Sequence, residues 1–193
     1  LELSRKYKIK KIILVSSFSV DNFINNPSFY GFTKLAVEQM SLCYNKNFKT
    51  PVTSIKLSNI YGPYSLHKKS AIHQFIKQTI NNKNLIIHDS GKQTRDFVFV
   101  FDVVKIIYKL INQNKIETSY KICSEKKTNL LEIKKLIDKI SNKNNLINFV
   151  KAPIGYDTKI LKNKNKTNIK FEYTALEKGL NDTYNWYKYN LKK

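Results

Sequence analysis

Two short apolar segments flank a helical pattern near the start of the chain, and this order constrains the fold more than any other feature. "KIILVSS" (residues 11–17) and "PVTSIKLSNIYGP" (residues 51–63) are rich in β-branched residues and predict buried strands. The pattern from Tyr30 to about Asn47 is helical, with apolar positions at Leu35, Val37, Met40, Leu42 and Cys43. A strand, a helix and a second strand in this order predict a parallel crossover in an α/β fold.

The rest of the chain continues the α/β alternation. We expect strands in "NLIIHDSGK", "SYKICS" and "LINFVKAP", and helices in "SAIHQFIKQTINN", "TNLLEIKKLIDKI" and "TALEKGLNDTYNWYKYN". "RDFVFVFDVVKIIYKLI" is expected to begin as a strand and continue as a helix capped by Asp102, and Thr128 is a candidate cap for the helix that contains Glu132. "DTKILKNKNKTNIK" (residues 157–170) is polar and predicts a loop or a frayed helix.

The composition predicts a globular protein without a metal centre. The chain has 193 residues, of which 41% are hydrophobic, so it lacks the apolar depletion of disordered chains. Cys43 and Cys123 form no C-x-x-C pair and the three histidines show no ligand spacing, so we expect neither zinc nor disulfides and favour a cytoplasmic setting. No apolar run approaches transmembrane length.

The positive charge raises the hypothesis of a nucleic-acid partner. The formal net charge is +21 at pH 7, and clustered cations neutralise phosphates. Arginine, whose fork suits phosphates and bases, occurs only at Arg5 and Arg95, and the lysines are scattered along the chain. We therefore expect no nucleic acid as the partner; the alternative predicts steeply salt-dependent DNA affinity.

Tyr30 and Lys34 form the first candidate site. The same Y-x-x-x-K spacing recurs at Tyr7, Tyr64, Tyr184 and Tyr189, so the context must distinguish it. Residues four apart share a helical face, and Ser16, Ser17 and Asn59 follow the two predicted strands, where parallel sheets bind ligands. A phenol of pKa about 10 needs a shift of roughly 3 units to act as a base near neutrality. One ammonium about 4 Å away stabilises the phenolate by about 4 kcal/mol at an effective dielectric near 20, which is enough for that shift. Lysine therefore suits a catalytic tyrosine.

Five motifs in order give the chain a resemblance to a known family. They are "ILVSSFSV", "YGFTK", "IKLSNIYGP", "GKQTRDFVFVFDVV" and "LEKGLNDTYNWY". Their order resembles the extended short-chain dehydrogenases/reductases, in particular the NAD-dependent nucleotide-sugar epimerases and dehydratases, over nearly the whole chain. The resemblance implies a partial Rossmann-like parallel sheet with a smaller α/β substrate-binding domain. It implies NAD as cofactor, a nucleotide-sugar substrate and a homodimer in cytoplasmic sugar-nucleotide metabolism, which supplies polysaccharide biosynthesis.

The resemblance also assigns catalytic roles. Tyr30 would be the acid/base that takes the proton from a sugar hydroxyl, and Lys34 would stabilise its phenolate and bind the nicotinamide ribose. Ser17 matches the family's catalytic serine or threonine, which holds the substrate hydroxyl. All three residues would also contact the cofactor.

Three further residues match binding positions of the family. Ser58 would contact the nicotinamide, and Asn59 the sugar nucleotide. Arg95 matches an arginine that grips the substrate diphosphate, a role that suits a bidentate guanidinium. The remaining positive charge would be incidental to one anionic pocket.

The chain departs from the family pattern in several places. The usual Val-Tyr-Gly after the serine is Val20, Asp21 and Asn22 here, the segment that leads to Tyr30 is shorter, and Cys123 replaces a glycine. The family begins with a glycine-rich turn that binds the pyrophosphate of the cofactor. None of the five glycines of this chain lies in such a cluster. Since the chain also starts at Leu1 and has its only methionine at Met40, we expect a downstream part of a longer or damaged protein whose cofactor-binding half is absent.

These observations favour an epimerase similar to UDP-glucose 4-epimerase. Phe18 and Ser19 replace the acidic pair that dehydratases of the family carry, and Phe18 also stands where a reductase is expected to have cysteine. Two alternatives stay open: a dehydratase or reductase of the same family, and a catalytically silent, substrate-binding half of a split enzyme. We expect residues 1–65 to belong to the cofactor domain and 66–193 mainly to the substrate domain, with 96–135 returning to the first sheet.

Overall fold

The computed structural model describes residues 1–21, 23–24, 27–153 and 166–191. The helices are α1 (Glu2–Lys6), α2 (Phe29–Phe48), α3 (Ala71–Ile80), α4 (Val100–Asn112), α5 (Leu130–Ser141) and α6 (Leu176–Asn190). The strands are β1 (Ile12–Ser17), β2 (Val52–Leu57), β3 (Asn59–Tyr61), β4 (Leu85–His88), β5 (Thr94–Arg95), β6 (Phe97–Phe99), β7 (Ser119–Ile122), β8 (Thr128–Asn129) and β9 (Ile147–Val150). Most of the predicted loop at 157–170 lies outside the described residues. No helix within these ranges is both long and apolar enough to cross a membrane.

The chain divides into two compact units. The first contains the described residues of Leu1–Ser58, Val103–Cys123 and Lys166–Phe171. The second contains those of Asn59–Asp102, Ser124–Asn165 and Glu172–Lys193. The α/β fold class is confirmed, with parallel strand pairs in both units.

The first unit contains a parallel sheet in the order β1-β2-β7. Helix α2 connects β1 to β2, so the predicted parallel crossover is confirmed. The outer edge of β7 is covered by Asn168, whose side chain accepts a hydrogen bond from the Lys121 amide (2.7 Å) and donates to the Ser119 carbonyl (3.1 Å). These bonds occupy backbone groups of an edge strand that would otherwise be exposed.

Helix α2 buries a different face from the one that its apolar residues predict. Ser28 caps the helix by accepting a hydrogen bond from the Gly31 amide (3.0 Å), and the buried residues are Gly31, Glu38 and Ser41. Val37 and Met40 lie exposed. Small residues permit close approach to the sheet, and Glu38 has a cationic partner there, so tertiary pairing overrides the apolar pattern.

The second predicted strand is split at Ser58. Residues Val52–Leu57 pair in the first sheet, whereas Asn59–Tyr61 pair in parallel with β6 in the second unit. The prediction of one continuous strand is therefore wrong, because the partner strand changes within the apolar run.

The described residues of the second unit form three two-stranded ladders and an apolar core. Strand β4 pairs in parallel with β9, and β5 pairs antiparallel with β8. Helices α3, α5 and α6 surround a core of fully buried residues that comprises Phe75, Ile76, Leu85, Ile133, Leu180, Tyr187 and others.

Two predicted helix caps are wrong. Asp102 lies inside α4, and its carboxylate accepts hydrogen bonds from the Thr174 amide and hydroxyl, both at 2.8 Å. Asn129, rather than Thr128, caps α5 and forms a capping box with Glu132. At α5 the neighbouring asparagine offers the better capping geometry, whereas at α4 the Asp102 carboxylate is used by Thr174 instead.

We expect Gly179→Ala to destabilise the second unit. A Cβ at Gly179, a buried position of helix α6, would clash with the Tyr61 hydroxyl and lie 3.1 Å from the Phe99 ring. Tyr61 is buried, and its ring packs against those of Phe97 and Phe99, which oppose its displacement. Overpacking costs about 1–3 kcal/mol and alanine returns about 1 kcal/mol of helix propensity, so urea unfolding should show a net loss of up to about 2 kcal/mol.

Asn181→Ala is the matched control for this substitution. It introduces alanine at an exposed position of the same helix, where no clash opposes the higher propensity. Equal stability of the two variants would show that Tyr61 can move and that the packing argument is wrong.

His73 should make folding stability depend on pH. The side chain is buried on α3, and its Nδ1 lies 2.6 Å from the Ser70 hydroxyl. Desolvation, helped by nearby Lys77, Lys68 and His67, lowers the pKa of His73 to about 4. The unfolded chain takes up this proton near pH 6.5, so the stabilisation is complete above that pH and is lost as the pH falls to 4, by about 3 kcal/mol.

Chemical unfolding at pH 7 and pH 4.5 would measure this effect. His73→Asn should lose less stability than the parent chain over that interval. Identical pH dependence in the parent and His73→Asn would exclude His73 as the titrating group.

Candidate functional site

Ser17 ends β1 and begins a tight turn. Its hydroxyl accepts a hydrogen bond from the Ser19 amide (3.2 Å), and its carbonyl accepts one from Val20 (3.2 Å). The Phe18 amide donates to the Leu57 carbonyl of β2 (3.1 Å), which ties the turn to the neighbouring strand. The Ser17 hydroxyl therefore lies at the carboxyl edge of the sheet, where sequence analysis predicts a site.

Tyr30 and Lys34 meet at the first turns of α2. The Lys34 ammonium lies 5.8 Å from the centroid of the Tyr30 ring, and it donates to the Val15 carbonyl of β1 at 3.0 Å. This bond fixes the position of the cation relative to the strand that ends at Ser17. Tyr30 keeps 57% of its surface exposed, so its phenol is accessible to a ligand.

Ser58 follows β2 at the same edge of the sheet. In the register of the first ladder Ser17 pairs with Leu57, so Ser58 comes one residue beyond the partner of Ser17. The Ser58 amide donates to the Ile122 carbonyl at the end of β7 (3.1 Å). The first unit thus gathers Ser17, Tyr30, Lys34 and Ser58 around the carboxyl ends of its parallel strands.

Asn59 and Arg95 belong to the second unit. The Asn59 amide (3.0 Å) and its side-chain nitrogen (3.3 Å) both donate to the carbonyl of Asp96, the residue after Arg95. The Arg95 guanidinium donates to the Thr94 carbonyl (2.8 Å), and Arg95 pairs with Thr128 in the β5–β8 ladder. The structure therefore holds Asn59 against Asp96, the residue that follows Arg95, although the strands that contain Asn59 and Arg95 pair with different partners.

Asp96 supports the position of Arg95, a role that the sequence patterns do not predict. Its buried carboxylate accepts hydrogen bonds from the Ser124 amide (2.8 Å) and hydroxyl (3.0 Å). The aspartate thereby fixes the segment that follows β7 next to the strand that bears Arg95. An acidic residue inside an apolar run was the available signal, because buried carboxylates need partners.

A metal centre finds no support within the described residues. None of their His, Cys, Asp and Glu side chains gather in groups of three or more that could hold an ion. The chemistry available is that of a phenol, an ammonium, hydroxyls and a guanidinium.

The fold and this geometry define a class of protein. A parallel β-α-β unit, with a tyrosine and a lysine one turn apart beside a strand-end serine, is the arrangement of the short-chain dehydrogenases/reductases. The family model described as NAD dependent epimerase/dehydratase family matches residues 1–123. The chain therefore belongs to the NAD-dependent epimerase/dehydratase family, a family of enzymes.

Individual relatives agree with this assignment. The chain is 32% identical over 163 residues to a dTDP-D-glucose 4,6-dehydratase of Dictyostelium discoideum, covering 73% of this chain and 37% of the relative. It is 35% identical over 126 residues to a putative UDP-glucose 4-epimerase of Methanocaldococcus jannaschii, covering 58% and 41%. The chain thus spans well under half of the length of these curated relatives.

A solved structure supports the whole fold. The UDP-glucuronic acid 4-epimerase of Bacillus cereus, in complex with UDP-glucuronic acid and NAD, superposes with a TM-score of 0.80 at 26% identity. The match covers 98% of this chain and 65% of that one. The described elements therefore correspond to about two thirds of such an enzyme.

Proposed function

We propose that this chain supplies the proton-transfer and substrate-binding parts of an NAD-dependent nucleotide-sugar epimerase similar to UDP-glucose 4-epimerase. The observation that carries the proposal is the Lys34 ammonium, which lies beside the Tyr30 ring and is fixed to β1 by the Val15 carbonyl. A surface lysine at helical spacing has no need of a strand carbonyl, whereas a lysine that serves a catalytic phenol must be held in place.

Tyr30 is the proposed acid and base. As a phenolate it accepts the proton of a sugar hydroxyl, while the Lys34 ammonium offsets the negative charge. The Ser17 hydroxyl, oriented by the Ser19 amide, holds the same sugar oxygen. When the carbonyl is reduced again, Tyr30 returns the proton to the sugar oxygen, so the tyrosine ends the cycle as it began.

NAD would accept a hydride from the sugar carbon and return it to the opposite face. The residues present fit its nicotinamide end, because Lys34, Tyr30, Ser17 and Ser58 lie at the carboxyl edge where such a ligand binds. The chain has no glycine cluster that could bind the pyrophosphate, since its glycines are widely spaced, at Gly31, Gly62, Gly91, Gly155 and Gly179. We propose that residues beyond these 193 hold that part of the cofactor.

Arg95 and Asn59 are proposed to bind the sugar nucleotide. A guanidinium suits a diphosphate, and Asn59 is held rigidly by the Asp96 carbonyl. These two side chains, both in the second unit, would hold the sugar nucleotide.

Epimerisation is favoured over dehydration by the turn after Ser17. The Phe18 ring centroid lies 6.0 Å from the Lys121 ammonium, and the Ser19 amide donates a hydrogen bond to the Ser17 hydroxyl. Neither residue has a carboxylic acid that could assist the elimination of water. The similarity of the chain to dehydratases is therefore proposed to reflect membership of the same family and not the same reaction.

A homodimer through α2 is part of the proposal. The helix exposes Phe29 (95%), Phe32 and Met40 on its outer side. Exposed apolar patches of this kind commonly mark protein interfaces. Sedimentation of the chain, compared with a Phe29→Ser, Phe32→Ser variant, tests this state: the variant should be monomeric.

Calorimetric titration of the purified chain with UDP-sugars, dTDP-glucose and NAD tests the proposal. We expect a UDP-sugar to bind, and we expect Arg95→Ala to abolish the binding. Arg5→Ala is the matched control, since Arg5 is the other arginine and pairs with Glu2 on α1.

The outcomes separate the alternatives. Binding of UDP-sugar without NAD would support a substrate-binding part that requires a cofactor-binding part elsewhere. No affinity for any sugar nucleotide in a cooperatively folded chain would refute the proposal. Binding of DNA with a steep salt dependence, unaffected by Tyr30→Phe, would favour the nucleic-acid alternative.

A further inference from the structure

Asp21 occupies a distinctive electrostatic position beside the candidate site. Its two carboxylate oxygens each accept a hydrogen bond at 2.6 Å, one from the Lys56 ammonium and one from the Lys121 ammonium. The Asp21 side chain keeps 28% of its surface exposed. It lies in the turn after Ser17, at the position where the sequence departs from the family's Val-Tyr-Gly.

The two lysines need an anion between them. Lys56 on β2 and Lys121 on β7 are direct partners in the parallel register, so their side chains are neighbours. Like charges in such cross-strand positions repel each other. Asp21 cancels this repulsion and, in doing so, binds the turn to two strands at once.

The ionised form of Asp21 is the stable one. Partial burial opposes ionisation, but hydrogen bonds from Lys121 and Lys56 outweigh it and lower the pKa of Asp21. A carboxylate that stays ionised and is committed to two ammonium groups is poorly suited to act as a general acid.

The same turn contacts the start of the helix that bears Tyr30. A Cβ on Gly31 would lie 3.2 Å from the Phe23 ring and 3.5 Å from the Ser19 carbonyl, so turn and helix touch there. The rings of Phe23 and Phe32 also pack, with centroids 6.0 Å apart. A displacement of the turn must therefore move either the first turn of α2 or the contacts that define it.

We propose that Asp21 is a positioning residue, which fixes the turn after Ser17 and the first turn of the Tyr30 helix without taking part in proton transfer. This inference rests on the proposed function in so far as Ser17 and Tyr30 form the site. We call the Asp21–Lys56–Lys121 ion-pair group the clamp. The segment between Ser17 and Tyr30 is shorter than in the family, so few residues other than the clamp define the relative position of these two side chains.

The test uses the whole chain with Asp21→Asn, and with Asp182→Asn as a control at an exposed acid on α6. Two signals are measured: amide hydrogen exchange of residues 18–21 and 31–34, and the ¹³Cζ resonance of Tyr30, assigned from its loss in Tyr30→Phe. In Asp21→Asn we expect exchange in both segments to rise about tenfold and the Tyr30 resonance to shift. In Asp182→Asn neither should change.

A charge-swap variant provides the rescue. Asp21→Lys with Lys121→Asp places an anion between two cations again, so the Tyr30 resonance should return towards its parent position. If exchange in the turn becomes faster in Asp21→Asn but the Tyr30 resonance does not move, Asp21 only forms a structural ion pair and the proposal is wrong. The proposal is also wrong if Asp21→Asn behaves like the parent chain in both measurements.

These readouts are independent of ligand binding. If the parent chain binds no sugar nucleotide, the proposed function fails, while a shifted Tyr30 resonance in Asp21→Asn still supports the clamp. If the chain binds a sugar nucleotide and Asp21→Asn leaves Tyr30 unmoved, the clamp fails alone.

Discussion

Tyr30→Phe should lower the rate of UDP-sugar epimerisation by about 10²–10⁴-fold in an NAD-loaded assembly that contains this chain, the range that a positioned acid/base contributes. The substitution removes only the hydroxyl and leaves the ring beside the Lys34 ammonium. The affinity for the sugar nucleotide should stay nearly constant, because the proton moves only during the chemical step. The measurement is the initial rate of product formation at saturating substrate, together with calorimetric affinity.

Tyr189→Phe is the matched control for this prediction. Tyr189 also has a lysine four residues later and is exposed on helix α6, so the variant removes a hydroxyl in the same sequence context. Its rate should equal that of the parent. A Tyr30→Phe variant with the parent rate would show that another group carries the proton.

Much of the first unit is predictable because its signals are local. Apolar β-branched runs define β1 and β2, and the helical pattern between them dictates a parallel crossover. The carboxyl edge of that crossover then indicates where Ser17, Tyr30 and Lys34 should lie. Their local geometry could not be predicted, since it depends on the bond from Lys34 to the Val15 carbonyl, 19 residues away in the chain.

Other features depend on partners distant in sequence. The break at Ser58 arises because Leu57 pairs in one sheet and Asn59 in another, and no residue pattern signals that change. The buried face of α2 likewise depends on a lysine from β2 that reaches Glu38. Propensity and periodicity carry no information about such pairings.

Several lysines have structural uses that composition alone conceals. The Lys11 ammonium donates to the carbonyls of Leu110 (3.1 Å) and Ile111 (2.6 Å) at the end of α4, and Lys143 donates to the Thr79 carbonyl (2.7 Å) near the end of α3. Cations at helix C-termini satisfy free carbonyls and complement the helix dipole. Part of the high positive charge therefore stabilises the fold and gives no argument for a polyanionic partner.

Lys56→Met should strongly destabilise the first unit. The Lys56 side chain is only 15% exposed and lies 3.4 Å from the Glu38 carboxylate, which is 9% exposed. Asp21 retains Lys121 in the variant, but Glu38 loses its cation and stays buried in α2. Removing one partner of a buried ion pair costs about 3 kcal/mol, which urea unfolding at pH 7 would measure.

A second substitution identifies the cause of that loss. Combining Lys56→Met with Glu38→Leu removes the uncompensated carboxylate, so most of the lost stability should return, because apolar replacement of a whole buried pair is often neutral. Lys139→Met is the control, since it breaks the exposed pair with Glu177 and should change stability by less than about 1 kcal/mol. If Lys56→Met is as mild as Lys139→Met, water must reach Glu38, and the carboxylate on the inner face of the Tyr30 helix is solvated rather than paired.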